Sequence, residues 1–549
     1  MIAYSTKYYL LIFLNINKMA TRLTSFSKFM ITLLILGVVF FAGKYIIENT
    51  QLGKDIKSKA ETAAANGTDT GSSSSSGASG GQRDPNTLRV QLVSWGGYAP
   101  GLYFNEGSAA NTNSRFYKDY GFKVEFKLEN DLLNALNAWT AGEYDVMVQT
   151  VDAFPLYTAP VDINAMKPKA FMQVDWSRGG DAIIVKRGIK SVNDLKGKKI
   201  AVAVPSPAQT LLINSLEAAG LKYSDVEVIK TTDNLEAAKL FKTKDVDAAV
   251  VWSPDDVLAT RDVAGSSILL TTVQQSHIIA DIMFASQNTI DTKKDMIHGF
   301  YEGWMKGVAE VNNNASNQAK AAKYLAELNG ISPEDGAGMM STVYWTGQGD
   351  NVNFFGLNSS YKGQKGEDLY EKMGRKFLEI GDSPNAAPAW RSVIYTGAIS
   401  AAQDKLSGPA YAAEKSKTFT PTTKEEVNAP AIASKPISIS FPSGKFQLDE
   451  NAKSLIDIQF KDIAKSFANT KVRVEGNTDN VGNAKSNKIL SEKRAKSVAD
   501  YLKAQYDIDT NRFVVIGNGS NNPVSGCESN ASEDCKSRNR RTEFQLISN

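Results

Sequence analysis

The sequence predicts a multidomain α/β protein with one N-terminal transmembrane helix. Three observations support this. The chain has 549 residues, which is too long for one hydrophobic core. A nearly unbroken apolar run lies near the N-terminus, and short β-branched segments alternate with helical patterns through most of the remainder. The 62 basic and 59 acidic residues leave a formal charge of only +3, so the charge gives no reason to expect a nucleic-acid partner.

The apolar run reads FMITLLILGVVFFAGKYII over residues 29–47, with Lys44 as its single charge. A helix of that length rises about 28 Å, which matches the bilayer core. Basic residues precede the run, so the positive-inside rule places residues 1–28 in the cytoplasm and the bulk of the chain in the periplasm. We therefore expect a single-pass inner-membrane protein. A cleaved signal peptide is the alternative, and translation from Met1 or from Met19 stays open.

Two polar stretches divide the rest of the chain. Residues 48–87 are rich in Gly, Ser and Ala and are expected to form a flexible tether. A Pro- and Thr-containing stretch at 416–436 predicts a second linker. These linkers bound a module at 88–415 and a C-terminal domain at 437–549. The module alternates strand segments such as YDVMVQT, DAIIVK and VDAAVVW with helical patterns, which favours largely parallel sheets.

The C-terminal region predicts a compact α/β sandwich of its own, in the order strand, helix, strand, helix, strand, strand. Five separated motifs occur in it: Phe441 with Gly444 before Leu448, Gly476-x-Thr478-Asp479-x-x-Gly482, Asn487-x-x-Leu490-Ser491-x-x-Arg494-Ala495, Val498-x-x-Tyr501-Leu502 and Asn539-Arg540-Arg541-Thr542-Glu543. In type and order these motifs resemble the C-terminal domain of the outer membrane protein A family. The resemblance implies a peptidoglycan-binding domain.

The resemblance also implies roles for five residues. Diaminopimelate in a peptidoglycan stem peptide offers an ammonium and a carboxylate at one centre, so its site needs one acid and one base. Asp479 is expected to take the ammonium and Arg494 the carboxylate, through a charge-assisted pair. Thr478, Asn487 and Arg541 are the expected supporting donors and acceptors. Under the alternative interpretation, Asp479 only caps a turn and Arg494 is a solvated helix charge.

The cysteine and histidine counts limit the chemistry. Cys527 and Cys535 lie in one Gly/Ser/Asn-rich stretch, which favours a loop disulfide in an oxidising compartment over two free thiols. They also fall in the loop where some members of the resembled family carry a disulfide. Two histidines and two cysteines are the smallest number that could supply a four-ligand zinc site of the His/Cys kind, so a metal site is not favoured and we expect no metal and no cofactor.

The middle module carries four further motifs: Ser191-Val-Asn-Asp-Leu-Lys-Gly-Lys-Lys-Ile-Ala-Val, Ser206-Pro-Ala-Gln-Thr210, Val246-Asp247-Ala248 before Trp252-Ser253-Pro254, and Gly180-Asp181 upstream. They resemble periplasmic substrate-binding proteins of the nitrate, sulfonate, taurine and thiamine-precursor type. The resemblance implies a two-lobed type II periplasmic-binding-protein fold, with lobe 2 at about 187–283 and a crossover near Lys186. It also implies a small-molecule solute and an ABC permease as partners.

In such a fold the ligand lies between the lobes, at the carboxyl ends of strands and the starts of helices. The candidate ligand-binding residues are Trp95, Gly97, Tyr98, Thr150, Asp152, Ser206, Ala208, Gln209, Thr210 and Trp252. Backbone N–H groups at 208–210 suit an anion, whereas the aromatic residues and Asp152 suit an amine or a heteroaromatic ring. Alternatively, Trp95 and Trp252 belong to the core and Asp181 is a structural carboxylate.

Catalysis is not expected, because the sequence contains no GxxxxGK[ST] or HExxH motif and its GxSxG match, GASGG at 77–81, lies in the Gly/Ser-rich linker and not at the end of a predicted strand. Two functions remain. The first is an inner-membrane-anchored, peptidoglycan-attached solute-binding protein that serves an ABC-type uptake system. The second is a structural envelope tether or motor-associated scaffold whose module no longer binds a solute. A proton-driven stator is disfavoured because residues 29–47 contain no acidic residue.

Overall fold

The computed structural model describes residues 84–437, 439, 441 and 444–547. In that part of the chain no helix is both long and apolar enough to cross a membrane. Its longest helix, Ala484–Tyr506, is interrupted by charged side chains throughout, and such charges are costly in a bilayer. The prediction of a single-pass inner-membrane protein is therefore corrected: the described fold contains no membrane span. The expected span itself, at 29–47, lies outside the described residues.

The first lobe is a five-stranded mixed sheet covered by helices. In spatial order its strands are Lys123–Leu128, Thr87–Leu92, Val146–Thr150, Asp281–Ser286 and Pro168–Gln173. Its helices are Ala99–Asn105, Arg115–Tyr120, Leu132–Thr140, Phe154–Thr158, Val161–Ala165, Gln287–Thr292 and Lys294–Asn312. The last helix buries Ile297, Tyr301, Trp304 and Val308, and this spacing of three to four residues turns one apolar face towards the core.

The second lobe repeats the same plan with a second five-stranded mixed sheet. In spatial order its strands are Ser267–Thr271, Asp181–Val185, Ala248–Trp252, Lys199–Ala203 and Glu227–Thr231, and its helices are Pro207–Ala218, Asn234–Phe241 and Asp255–Asp262. In each sheet two of the four strand pairings are parallel and two are antiparallel, because one strand runs opposite to the other four. The sheets are therefore mixed rather than largely parallel.

Two crossovers join the lobes. The chain leaves the first lobe after Pro168–Gln173 and enters the second at Asp181–Val185, and it returns between Ser267–Thr271 and Asp281–Ser286. A short strand in the first crossover, Asp175–Ser177, pairs with Val343–Trp345. The crossovers thus lie at about 174–180 and 272–280, so the second lobe begins and ends earlier than the predicted 187–283, and the crossover precedes Lys186.

A helical tail completes the module and braces the two lobes. Its helices are Ala315–Asn329, Pro333–Met340, Gln348–Phe354, Gly366–Glu379 and Gly397–Ala402. On helix Gly366–Glu379, the Tyr370 hydroxyl lies 2.6 Å from that of Thr158 in the first lobe. The Lys372 ammonium of the same helix lies 2.7 Å from Glu217 Oε2 in the second. This helix therefore ties the lobes together on one side.

The C-terminal domain is a four-stranded sheet backed by helices. In spatial order its strands are Ala431–Ile437, Thr542–Ile547, Lys471–Asn477 and Phe513–Gly519, and its helices are Lys424–Asn428, Glu450–Ser466, Ala484–Tyr506 and Glu533–Asn539. Strand Ala431–Ile437 lies mostly in the stretch that the sequence predicts as a linker. The strand lies at the edge of the sheet, where a proline such as Pro436 is tolerated. The Pro-containing composition of this stretch therefore suggests a linker although part of it forms a strand.

The C-terminal domain packs directly on the second lobe. The Asn193 side-chain amide donates to Ser434 O at 2.9 Å, and Ser434 N–H donates to Asn193 Oδ1 at 2.8 Å. One hydrophobic cluster contains Leu216 of the second lobe together with Ile432 and Ile456 of the C-terminal domain. The described residues from Asp84 onwards accordingly form one compact unit, in which 416–436 is not a free linker.

Candidate functional sites

The first candidate site lies where the two crossovers meet the carboxyl ends of strands from both lobes. Asp152 follows strand Val146–Thr150, and Trp252 ends strand Ala248–Trp252. Asp175 lies in one crossover, and Asp281 begins the strand that follows the other. Antiparallel pairing places Asp281 opposite Thr150. The topology thus gathers carboxyl groups from separate segments of the chain at the junction of the lobes.

Two aromatic residues of the first lobe bind two of these carboxyls. The indole N–H of Trp95 donates to Asp175 Oδ2 at 2.9 Å, and the Tyr98 hydroxyl donates to Asp281 Oδ2. Gly97 has a steric role, because a Cβ atom there would lie 1.5 Å from Asp175 Oδ2. The predicted residues Trp95, Gly97 and Tyr98 are therefore brought together around carboxyls that the sequence analysis did not select.

Asp181 occupies the start of the second lobe. Its Oδ2 accepts a hydrogen bond from the Ser177 hydroxyl at 2.7 Å, and Ser177 in turn lies 2.8 Å from the Thr272 hydroxyl of the other crossover. Trp252 stands opposite Asp181 in the sheet register and remains half-buried. No Lys or Arg pairs with Asp181 in the described part of the chain, and its hydrogen bond from Ser177 fits a structural carboxylate as well as a ligand-binding one.

Asp152 is fully buried, and neither of its carboxyl oxygens has a hydrogen-bond partner among the described residues. The nearby Thr210 hydroxyl, from the second lobe, is also buried without a partner. The Thr210 hydroxyl nevertheless lies close enough to the Asp152 carboxyl to lower its pKa, and the negative charge of Asp181 raises it, so Asp152 lies near the second lobe without forming a hydrogen bond of good geometry. Thr150 flanks the same carboxyl from the first lobe. The fold thus brings Asp152, Thr150 and Thr210 close together, and their role in ligand binding stays a prediction.

Burial dominates the electrostatics of these carboxyls, because it disfavours their charged form. It raises the pKa of Asp152 to about 7, that of Asp281 to about 7 and that of Asp181 to about 6. The pKa of Asp175 is raised well above its usual range by burial and then by the negative charge of Asp281. The Trp95 and Tyr98 hydrogen bonds oppose these shifts without cancelling them.

Three predicted ligand residues have other partners. The Ser206 hydroxyl donates to Ala203 O at 2.8 Å, and Ala208 packs in the second-lobe core. The Gln209 amide donates to Asp382 Oδ2 at 2.5 Å and to the Tyr223 hydroxyl at 3.2 Å. Of these three side chains, that of Gln209 links the second lobe to the helical tail, through Asp382.

The second candidate site lies in the C-terminal domain, between the loop after strand Lys471–Asn477 and helix Ala484–Tyr506. Asp479 Oδ1 accepts the Val481 N–H at 3.0 Å. The Arg494 guanidinium lies 4.9 Å from the centre of the Phe441 ring, and its Nε donates to Lys445 O at 3.1 Å. Burial lowers the pKa of Arg494, and the nearby carboxylate of Asp479 opposes that shift. An acid and a base thus lie close together, and their role in binding diaminopimelate stays a prediction.

The two adjacent arginines of this site have different partners. Arg540, rather than Arg541, pairs with Asp479, with Nη1 2.7 Å from Oδ2. Arg541 instead pairs with Glu543, and its Nη1 donates to Asn522 O at 3.1 Å. The sequence presents the two arginines side by side and does not distinguish them. Successive side chains point to opposite faces along extended chain. The two adjacent arginines that lead into strand Thr542–Ile547 therefore point in different directions.

Thr478 and Asn487 hold the loop of the acid. Thr478 N–H donates to Gly519 O at 2.8 Å, while its buried hydroxyl has no partner among the described residues. The Asn487 amide donates to Val481 O at 3.0 Å. Both residues therefore belong to this site.

The disulfide between Cys527 and Cys535 is present, with a Cα–Cα distance of 5.0 Å. It closes a loop that the Asn539 side chain also fastens: Val524 N–H donates to Asn539 Oδ1 at 2.6 Å, and the Asn539 amide donates to Cys527 O at 3.0 Å. Because Arg540 follows Asn539 directly, this fastened loop fixes the position of the arginine that pairs with Asp479.

Comparisons with known proteins match both parts of the chain. Residues 440–540 match the OmpA family, and residues 109–317 match the NMT1/THI5-like family. The C-terminal part is 34% identical over 111 residues to outer membrane porin F of Pseudomonas aeruginosa, which is 20% of this chain and 30% of that protein. The module is 26% identical over 148 residues to the taurine-binding periplasmic protein of Escherichia coli, which is 26% of this chain and 44% of that protein.

This chain therefore spans less than half the length of either relative. Among solved structures, the periplasmic aliphatic sulphonate-binding protein of Escherichia coli aligns with a TM-score of 0.45 at 18% identity, over 63% of this chain and 99% of that one. The chain thus carries an NMT1/THI5-like periplasmic binding module followed by an OmpA-family domain.

Proposed function

We propose that the chain is a cell-envelope solute-binding protein that is held to peptidoglycan by its C-terminal domain and delivers its solute to an ABC-type permease. The C-terminal domain supplies the Asp479 and Arg494 pair for the diaminopimelate centre. The module supplies the site between the lobes. Neither site contains a residue arrangement that calls for catalysis, so we assign binding rather than enzymatic activity to both.

The observation that favours a solute receptor over a passive tether is the Asp152 carboxyl. Both of its oxygens are buried without a hydrogen-bond partner in the described part of the chain. Burying such a group without compensation destabilises a fold by several kcal/mol. A spacer that no longer binds a solute gains nothing from that cost, whereas a receptor recovers it when a ligand supplies the missing partner.

A thermal-shift screen of the full chain against a metabolite library tests this function. A solute at about a hundred times its dissociation constant stabilises the folded state by about 2.7 kcal/mol, and we expect a rise of a few degrees in Tm. Asp152→Asn should remove the shift, while Asp162→Asn, an exposed carboxylate of the same lobe, should keep it. A library in which no compound raises Tm would favour the tether.

A further inference from the structure

We propose that the solute bound between the lobes is an organic cation, whose ammonium or other cationic nitrogen is held by Asp152, Asp175, Asp181 and Asp281. This inference rests on the proposed function of the module and names its ligand class. It runs against the expectation of an anion that the helix start at 208–210 raises. Three features of the four carboxyls support a cation: they have no basic partner among the described residues, several of their oxygens lack hydrogen bonds there, and aromatic side chains surround them.

The charge balance at the junction favours a cationic ligand. None of the four carboxyls forms an ion pair with a Lys, Arg or His of the described residues. Arg178 is the basic residue of the first crossover, and its guanidinium is already used by Glu414, at 3.0 and 2.8 Å, and by Ser276 O at 2.9 Å. The protein thus places several acids at one junction and directs its own nearby cation elsewhere.

Several polar atoms at the junction have unused hydrogen-bonding capacity. Both oxygens of Asp152, Oδ1 of Asp175 and the hydroxyl of Thr210 are buried and lack a partner within residues 84–437 and 444–547. Asp256, which influences Asp181, also has a buried oxygen without a partner. All except Thr210 are pure acceptors when ionised. A ligand that completes the ionised form of this site must therefore bring donors, which an ammonium has and a sulfonate or nitrate lacks.

The residues around the carboxyls favour an organic cation over a metal ion. In the described ranges, no three His, Cys, Asp or Glu side chains are grouped so that they could hold a metal. The site instead has aromatic walls: Trp95 packs over Gly180, where a Cβ atom would lie 2.1 Å from the indole, and Trp252 stands half-buried beside Asp181. Carboxylates combined with aromatic faces are the usual surroundings of organic ammonium groups.

Cation binding must also depend on pH. The titratable groups that face the junction are the carboxyls of Asp152, Asp175, Asp181, Asp256 and Asp281, together with the Tyr98 phenol. Without a ligand, burial keeps several of these carboxyls protonated near neutral pH. A cation binds the ionised form, so its affinity should increase as pH rises from 5.5 to 8. An anion would show the opposite trend, because deprotonation increases the negative charge at the site.

The test uses the full chain and probes matched in size. n-Butylammonium, n-butanesulfonate and n-butanol share one alkyl chain and differ only in the charge of the head group. Choline, putrescine and thiamine extend the cationic set to larger shapes, and nitrate and methanesulfonate extend the anionic set. Thermal shift identifies binders, and calorimetric titration at pH 5.5, 7 and 8 measures their affinities for wild type, Asp152→Asn and the control Asp162→Asn.

We expect cations alone to raise Tm. For a binder, affinity should increase at least about tenfold from pH 5.5 to 8, Asp152→Asn should lower it at least about tenfold, and Asp162→Asn should change it less than about twofold. If an anion binds and no cation does, or if a cation binds equally well to Asp152→Asn, the cation assignment is wrong while the receptor function stands. If no probe and no library compound binds, both the assignment and the receptor function fail.

Discussion

Arg540 and Asp479 form an ion pair at the centre of the C-terminal site, with Nη1 2.7 Å from Oδ2. The pair leaves one carboxylate between two arginines, because Arg494 also lies close enough to influence Asp479. Without a ligand, Arg540 therefore occupies the place beside Asp479 that the ammonium group of a ligand would take. Arg540 also pairs with Glu533 at 2.6 Å, whereas Arg494 forms no ion pair among the described residues, which leaves it for the carboxylate of a stem peptide.

Replacing either Asp479 or Arg494 should remove peptidoglycan binding. Asp479→Asn deletes the partner of the ligand ammonium, and Arg494→Gln deletes the partner of its carboxylate, so each should lower binding at least about tenfold. Co-sedimentation of the full chain with purified diaminopimelate-containing sacculi measures this. Asp500→Asn is the control, because Asp500 is an exposed carboxylate of the same helix that pairs only with Lys496 among the described residues. Undiminished sedimentation of both site variants would contradict the assignment.

The two adjacent arginines should differ in what their loss does to stability. Arg541→Gln leaves the largely buried Glu543 carboxylate without its partner and frees Asn522 O, so we expect a loss of roughly 2–4 kcal/mol in the free energy of unfolding. Arg540→Gln breaks an ion pair with a more exposed arginine, for which about 1 kcal/mol or less is expected. Urea unfolding of both variants measures the difference. Equal losses would show that the two roles are not separated as described.

The contact between the second lobe and the C-terminal domain should stabilise both against local unfolding. Asn193→Ala removes two hydrogen bonds to the Ser434 backbone and should cost about 1–3 kcal/mol. Hydrogen exchange of strand Ala431–Ile437 should accelerate as a result. The control is Asn137→Ala, an exposed position of the first lobe. Unchanged exchange in the Asn193 variant would mean that the contact does not hold the two parts together.

The buried Asp152 should make the unliganded protein less stable as pH rises. Its pKa is about 7 in the folded chain against 3.8 for the ordinary group, so the folded state holds a proton that the unfolded state has released. Stability then falls with pH between about 4 and 7, by up to about 1.4 kcal/mol per pH unit from this group. Asp152→Asn lacks this loss, so its stability relative to wild type should increase over that range.

Unfolding free energies at pH 4.5, 5.5 and 6.5 measure the trend. Asp162→Asn should follow the wild-type pH profile. A difference between Asp152→Asn and wild type that does not change with pH would show that the Asp152 carboxyl is already ionised in the folded protein.

The sequence predicts much of this fold because apolar periodicity marks most of the core elements. The segments YDVMVQT, DAIIVK and VDAAVVW correspond to Val146–Thr150, Asp181–Val185 and Ala248–Trp252. Strand Asp281–Ser286 is not predicted, because its residues precede a long helical stretch and carry no turn signal of their own. It is this strand that makes the first sheet mixed.

The candidate sites are predicted only in part. Asp479 and Arg494 follow from a specific motif, but the choice between Arg540 and Arg541 depends on side-chain direction, which adjacent identical residues do not reveal. Asp175 and Asp281 are missed because each is a single acid in a distant apolar segment, QVDWS and IADIM. An acid inside an apolar strand is itself a usable signal, since burying it unpaired is costly.

The most direct test of a wall-attached receptor is a thermal-shift measurement on the full chain with a library solute, a soluble diaminopimelate-containing muropeptide, or both. We predict that each raises Tm by itself, that Asp152→Asn removes only the solute shift, and that Asp479→Asn removes only the muropeptide shift. A chain that responds to the muropeptide but to no solute, or in which one substitution removes both shifts without unfolding the protein, would contradict two separate binding sites.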